Sequence, residues 1–350
     1  MRATLMERGR LWVDELPDPV PRRGEVLVKS LACGICGSDL HAARHTEQFV
    51  ATSREAGGAF KLTTLAPVVL GHEFCAEVVD YGPDTPRDLA SGTRVCSVPV
   101  LLREQPVGLG YSDEVPGGFA EYMVLSASLM VPVPGDLPAA HAALTEPMAV
   151  GRHAVAKAAL RGGESHLVIG CGPVGLAVIA ALRAQGAGPV VAADFSPRRR
   201  RLAEQMGAHE VLDPSRGSPF TDRRFPRDGR TVIFECVGVP GMIDQIFLGA
   251  PQGARVVVVG VCLEMDQSRP LIAINKELSV QYVLGYSFEE FTDTLRLIAD
   301  GRIDVAPLIT GTVGLDGVAG AFDDLADPER HAKVLVQPWD DVSPGEGRAG

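Results

Sequence analysis

The spacing of hydrophobic and polar positions changes character once along this chain. Residues 1–138 carry short alternating or apolar runs broken by Pro and Gly: Thr4–Met6, Arg10–Val13, Glu25–Ala32, Val68–Leu70, Phe74–Val79, 92–100 and 118–125. Such runs between turn residues predict β-strands, so this region is β-rich and His72-Glu73 falls at a turn or strand edge. Ser38-Asp39-Leu40 predicts a helix start capped by Ser or Asp. Residues 42–66 have no firm period and read as a long loop or a short helix on a loop. From residue 139 the chain turns Ala-rich, and Pro147 predicts two helices meeting at Glu146-Pro147. Beyond residue 166, strand-like and helix-like stretches alternate. They run His166–Gly170, Val174–Gln185, Pro189–Ala193, Pro197–Met206, Glu210–Leu212, Thr231–Glu235, Met242–Leu248, Ala254–Gly260 and Leu278–Leu284. That alternation predicts an α/β doubly wound parallel sheet. A helix over Phe288–Ala299 and a terminal strand from Lys333 follow, and the Gly-rich tail from Ser343 is expected to fray.

With 350 residues the chain is long enough for two domains of ordinary size. Its formal net charge is −11, and the four-arginine run Arg198–Arg201 is its densest basic stretch. That balance excludes nucleic acid and anionic membrane surfaces as expected partners. No apolar run reaches bilayer-crossing length, and the N-terminus shows no signal-peptide apolar region. Seven scattered cysteines, an odd number, do not suggest a disulfide framework. A reduced, cytoplasmic enzyme is expected.

Gly170-Cys-Gly172-Pro173-Val174-Gly175 follows a predicted strand and opens a predicted helix, as a dinucleotide-binding glycine fingerprint does. Gly170 permits a tight turn, Gly172 lets backbone approach a pyrophosphate, and Gly175 lets helix and strand pack closely. The helix N-terminus offers free N–H groups and a positive dipole end to the anion. Asp194 ends the next strand about 20 residues on, where a carboxylate accepts hydrogen bonds from ribose hydroxyls and repels a 2′-phosphate. NAD is therefore expected over NADP. Arg198 and Arg199 stand close enough in sequence to meet a phosphate, or form a solvated helix face.

Cys33-Gly-Ile-Cys36-Gly-Ser38-Asp39-Leu-His41 packs thiols, a hydroxyl, a carboxylate and an imidazole into nine residues. Alone, its C-x-x-C admits a catalytic metal ligand, a redox pair, half a structural zinc site, or two small buried residues at a turn. Its combination with Gly71-His72-Glu73, Glu146-Pro147 and the glycine fingerprint, in that order, resembles the zinc-dependent medium-chain alcohol dehydrogenases. The resemblance covers nearly the whole chain and is strongest to the polyol and butanediol dehydrogenase branch. It implies a Rossmann domain inserted in a β-rich GroES-like catalytic domain, with zinc and substrate in the cleft between them. The expected boundaries are 1–148 and 285–350 for the catalytic domain and 149–284 for the NAD-binding domain.

By this resemblance Cys36, His72 and Glu146 are zinc ligands, where liver-type relatives have cysteine in place of Glu146. Three protein ligands leave a position open for water or substrate, and zinc makes a bound alcohol more acidic. Glu73 is either a further, transient ligand or a residue that steadies the site. Asp39 orients His72 or caps the helix. Ser38 and His41 resemble the family's proton relay, through a hydroxyl that donates and accepts and an imidazole that titrates near neutrality. His45 reads as an exposed bystander. Many relatives bind a second, structural zinc through four closely spaced cysteines. Between Cys96 and Gly117 this chain has only Cys96 and no histidine, so one zinc per chain is expected.

The expected reaction is reversible NAD-linked oxidation of a primary or secondary alcohol, diol or polyol to a ketone or aldehyde. Two rivals are a zinc-free NADPH-dependent quinone or enone reductase of the same superfold and a non-catalytic NAD-sensing protein. The apolar runs Ala254–Val261 and Leu278–Leu284 would leave a sheet edge to cover, so a homodimer or homotetramer is expected.

Overall fold

The computed structural model describes residues 1–57, 62–221 and 230–340. The chain forms two compact units. Unit 1 comprises Met1–Glu146, Ile309–Asp327 and a last piece starting at Lys333, and unit 2 comprises Pro147–Leu308 and Pro328–Ala332.

Unit 1 begins with strands β1 (Arg2–Glu7), β2 (Arg10–Glu15) and β3 (Glu25–Gly34), followed by helices α1 (Gly37–Arg44) and α2 (Thr46–Glu55). Strands β4 (Val68–Val69), β5 (Glu73–Tyr81), β6 (Arg94–Ser97), β7 (Val100–Leu101), β8 (Val107–Gly108), β9 (Tyr122–Ser126) and β10 (Met130–Pro132) follow. Helices α3 (Ala139–Ala142) and α4 (Thr145–Lys157) lead into unit 2. After unit 2 the chain returns with β17 (Ile309–Val313), α10 (Val318–Asp324) and β18 (Lys333–Val336).

The main sheet of unit 1 runs β10-β6-β5-β3-β18-β17, with β9 also paired to β3. Its register builds the site. The last residues of β3, Cys33 and Gly34, sit between Phe74 and Glu73 of β5 and Val336 and Leu335 of β18. The chain leaving β3 toward Cys36 therefore passes beside the start of β5, where His72 and Glu73 lie, and beside Lys333 on β18. A Cβ at Gly34 would collide with the Glu73 carboxylate, so any larger residue there would displace that carboxylate.

Unit 2 carries β11 (Ser165–Ile169), α5 (Pro173–Ala184), β12 (Val190–Ala193), α6 (Pro197–Gln205), β13 (Glu210–Leu212) and β14 (Thr231–Glu235). It continues with α7 (Met242–Gly249), β15 (Arg255–Val258), α8 (Pro270–Asn275), β16 (Ser279–Tyr282) and α9 (Phe288–Ala299). The sheet order is β13-β12-β11-β14-β15-β16 and every pairing is parallel, the doubly wound arrangement expected. Leu167, Ile169, Val191, Ile233, Ile246 and Val256 form the centre of its core. Each such fully buried side chain contributes about 1.5–3 kcal/mol.

Three local expectations change and one alternative is decided. Within 42–66, residues 46–55 form the short helix α2, which buries Thr46, Phe49, Val50 and Ser53. The cap of α1 is Cys36, and Asp39 sits one turn in, its Oδ2 accepting from the Cys36 amide at 2.9 Å. The helices near residue 143 break at Ala143-Leu144, and Pro147 lies in the first turn of α4, where its missing N–H costs no intrahelical bond. Residues 285–308 belong to unit 2, because α9 is tied to α4 by Arg152–Asp293 at 3.0 Å and His153–Glu290 at 2.8 Å. Phe60 and the tail from Ser343 lie outside the described residues. No described helix is long and apolar enough to cross a membrane.

Candidate metal centre and cofactor site

Cys36, His72 and Glu73 bring a thiol, an imidazole and a carboxylate to within 4.8 Å of one another. Among the described residues this is the only such group of three or more metal-ligating side chains. Glu73 and His72 are buried and Cys36 is half-buried. His72 Nδ1 faces Asp39 Oδ1 at 3.4 Å, too poorly aligned for a hydrogen bond. Asp39 thus both accepts from the Cys36 amide at the start of α1 and stands next to His72.

The pocket favours positive charge. Burial alone would depress the His72 pKa, yet the charges of Asp39 and Cys36 hold it well above the usual imidazole value. Burial raises the pKa of Cys33, helped by Asp39 and Glu73. Burial likewise raises that of Tyr111, helped by Asp39, Cys36 and Glu146. The Lys333 pKa is raised although burial opposes it, because Glu73, Cys36 and Glu146 surround its ammonium. Mixed sulfur, nitrogen and oxygen donors in a buried, electronegative pocket fit zinc. Glu146 stands outside the group of three, half-buried in the first turn of α4. Its charge nevertheless acts on both Tyr111 and Lys333.

Ser38 and His41 lie three residues apart on α1, a spacing that puts both on one helix face. His41 is half-buried and exposed His45 lies beyond it, their rings 6.4 Å apart. Two further residues complete this neighbourhood that sequence reading did not single out. Tyr111 donates to Ser38 Oγ at 2.7 Å and lies 5.1 Å from the His72 ring. Lys333 donates to both oxygens of Glu73, at 2.8 and 2.7 Å, and to the Ile35 carbonyl at 3.0 Å. A lysine inside the apolar run Ala332–Val336 was the signal for the second, since a buried ammonium needs a partner. For Tyr111 the signal was weak: one aromatic among glycines.

In unit 2 the glycine fingerprint has the geometry a pyrophosphate needs. Gly170 has φ +90°, and a Cβ at Gly175 would run into the Gly170 carbonyl. Gly172 caps α5 and faces open space, with Pro173 at the first helical position. Val174 and Gly175 continue the first turn of this helix. Asp194 follows the end of β12 and accepts from the Cys171 amide and the Ser196 amide, both at 2.8 Å. Its carboxylate thereby pins the glycine loop. Ser196 caps α6, and the Arg199 amide donates to its hydroxyl at 3.0 Å. The Arg199 Nε is buried without a hydrogen-bond partner. Arg198 instead bonds the Glu329 carbonyl at 3.0 Å, and Arg200 bonds that of Asp194 at 2.7 Å.

Both units match known families. Residues 22–135 match the alcohol dehydrogenase GroES-like domain, and residues 173–300 match the zinc-binding dehydrogenase domain. The chain belongs to the zinc-dependent medium-chain alcohol dehydrogenases, in the polyol and butanediol dehydrogenase branch. It is 32% identical over 339 residues to an (R,R)-butanediol dehydrogenase of Bacillus subtilis, covering 93% of this chain and 96% of that protein. The crystal structure of the 2R,3R-butanediol dehydrogenase from Bacillus subtilis aligns with a TM-score of 0.81 at 31% identity, over 96% of this chain and 99% of that one. A putative zinc-binding dehydrogenase from Sinorhizobium meliloti bound to NADP aligns with a TM-score of 0.82 at 29% identity, over 96% and 99%. The protein is accordingly an oxidoreductase of small-molecule alcohols that uses zinc and a nicotinamide cofactor.

Proposed function

We propose that this chain reversibly oxidises a secondary alcohol, diol or polyol with NAD, using one catalytic zinc per chain held by Cys36, His72 and Glu146. The observation that carries the reading is the Cys36–His72–Glu73 group, two of its three members buried, beside the Ser38 hydroxyl in a pocket whose charges favour a cation. Zinc, when bound, acts as a Lewis acid that makes a substrate hydroxyl more acidic, and the nicotinamide accepts hydride.

The protein supplies position and proton transfer. His72 turns Nδ1 to Asp39 and keeps Nε2 for the metal. Glu73 is engaged by Lys333 through both oxygens, which supports Glu146 as the carboxylate ligand and Glu73 as a neutralising neighbour. A second reading makes Glu73 the ligand, favoured by its closeness to Cys36 and His72. Ser38 accepts the substrate hydroxyl proton and releases its own toward His41. Gly170, Gly172, Pro173, Val174 and Gly175 cradle the pyrophosphate, and Asp194 receives the adenosine ribose hydroxyls. Arg199 borders that position, and the Asp194 carboxylate tips the choice to NAD by repelling a 2′-phosphate.

At the edge strand β16 Tyr282 is exposed, as are Leu284 just beyond it and Leu271 and Ile274 of the preceding α8. An edge strand of the parallel sheet with exposed apolar side chains around it supports assembly as a homodimer or homotetramer by sheet extension. Light scattering at micromolar concentration should give a multiple of the chain mass, and a monomer would refute this.

A screen of alcohols, diols and polyols with NAD and NADP tests the function, with Cys36→Ser as control. NAD-linked turnover of a diol or polyol, abolished in the control, is expected. A zinc-free protein that prefers NADPH and reduces enones would overturn the reading.

A further inference from the structure

We propose that Tyr111 is a positioning residue for Ser38, setting the polarity of the hydroxyl that takes the substrate proton. The inference rests on the reading of Ser38 given above. Tyr111 is 2% exposed, and its hydroxyl lies 2.7 Å from Ser38 Oγ. Its ring stacks on Phe49 at 5.8 Å and leans on the His72 ring at 5.1 Å. One phenol thus bridges the helix that carries Ser38 and the loop that carries His72.

The loop behind Tyr111 is built to hold it there. Gly110 has φ +79°, and a Cβ on it would stand 2.9 Å from the Gly71 carbonyl oxygen. A Cβ on Gly117 would stand 2.5 Å from the Leu70 carbonyl oxygen and 2.6 Å from that of Gly71. The amides of Gly117, Gly118 and Phe119 donate to the carbonyls of Val69, Gly71 and Leu70 at 3.0, 2.8 and 3.0 Å. These contacts lock residues 110–119 onto the backbone that presents His72. Side chains at 110 or 117 would lift Tyr111 away from Ser38.

A serine hydroxyl has one hydrogen and two lone pairs. A phenol is the stronger acid, so Tyr111 is the natural donor of this bond. Its donation fills one lone pair of Ser38 and polarises the serine O–H bond. One lone pair and the serine hydrogen remain. In alcohol oxidation the substrate O–H bond breaks as its proton lands on that lone pair. The original serine proton leaves toward His41, and a bound nicotinamide would take the carbinol hydrogen as hydride. Without Tyr111 the hydroxyl rotates among alternatives, and only a fraction of encounters are productive.

The test compares Tyr111→Phe, Ser38→Ala and the double variant in the zinc-loaded enzyme. Phenylalanine keeps the ring against Phe49 and His72 and removes only the hydroxyl. Tyr111→Phe should lower kcat about 3- to 10-fold, the worth of one neutral hydrogen bond, with KM for the alcohol within about twofold and zinc content unchanged. The double variant should match Ser38→Ala, because Tyr111 acts only through Ser38. In zinc-stripped protein the urea midpoints of the same set should be non-additive, a readout independent of turnover. An unchanged kcat in Tyr111→Phe with Ser38→Ala impaired would overturn the proposal and leave the relay intact. An equal loss in the wild-type and Ser38→Ala backgrounds would make Tyr111 merely structural. Full activity of Ser38→Ala would instead refute the relay reading itself.

Discussion

Lys333 closes on Glu73 with both carboxylate oxygens in hydrogen-bond reach of one ammonium, at 2.8 and 2.7 Å, and both side chains are 1% exposed. The pair joins the first residue of β5 to the first of β18, strands that flank the end of β3. It therefore fastens the returning C-terminal strand to the wall of the metal pocket. Two buried opposite charges stabilise little over an apolar pair, but removing one strands the other. Lys333→Met should lower the unfolding free energy by about 3–5 kcal/mol in urea titration. Lys333→Met with Glu73→Leu should recover much of that loss. A loss below about 1 kcal/mol in the single variant would mean that Glu73 finds another cation, and the proposed neutralising role would fail.

His41 gives the pH dependence of oxidation a direction. Burial and the charges of His45 and Arg44 lower its pKa below 6.5. Its neutral form, the proton acceptor, is thus already dominant at pH 7. For the His41-controlled limb, kcat/KM for alcohol oxidation should be level above neutrality and fall as pH drops through the lowered pKa. The same sign holds for stability. The unfolded chain binds this proton more readily, so the His41 contribution is present above 6.5 and is lost as pH falls below it. Arg44→Gln removes one cause and should move the limb to higher pH. A limb that stays in place in both Arg44→Gln and His41→Gln would show that another group controls it.

Asp194 has two tasks. Its carboxylate pins the Cys171 and Ser196 amides, both at 2.8 Å, and its charge repels a 2′-phosphate. Asp194→Asn removes the charge and keeps an acceptor for only one of those amides, since the other oxygen becomes an NH2 donor. It should cut kcat/KM with NAD by about 10-fold and raise that with NADP, as one to two hydrogen bonds to an ionised partner are lost. Steady-state kinetics with both cofactors checks this. A wild-type preference for NADP would assign the partnerless Arg199 Nε to the phosphate and refute the NAD reading.

The sequence made the architecture legible because its periodicities are clean. The all-parallel sheet of unit 2 follows from apolar runs such as Leu167–Ile169 and Val190–Ala193, alternating with helical stretches. The glycine fingerprint was legible for a similar reason: its positions answer to local backbone geometry. Long-range side-chain partnerships were less so. Nothing near Tyr111 announces Ser38, which lies 73 residues away in sequence, and Lys333 meets Glu73 across 260 residues. The end of the second unit was also obscure. The segment 285–308 looks like a return to the first unit, and only contacts such as His153–Glu290 assign α9 to the second. Helix α2 was legible only as one of two alternatives, a short helix or a loop, because its buried residues, Thr46, Phe49, Val50 and Ser53, make a narrow and partly polar face.

The central claim is a single zinc held by Cys36, His72 and Glu146, with Glu73 occupied by Lys333. Zinc content per chain, measured by plasma mass spectrometry on wild type, Cys36→Ser, Glu146→Gln and Glu73→Gln after dialysis against a mild chelator, tests it most directly. Wild type and Glu73→Gln should hold one zinc per chain, and Cys36→Ser and Glu146→Gln should hold about a tenth of that or less, since metal affinity falls steeply when a ligand is lost. Full zinc in Glu146→Gln with loss in Glu73→Gln, or two zinc ions per wild-type chain, would contradict the claim.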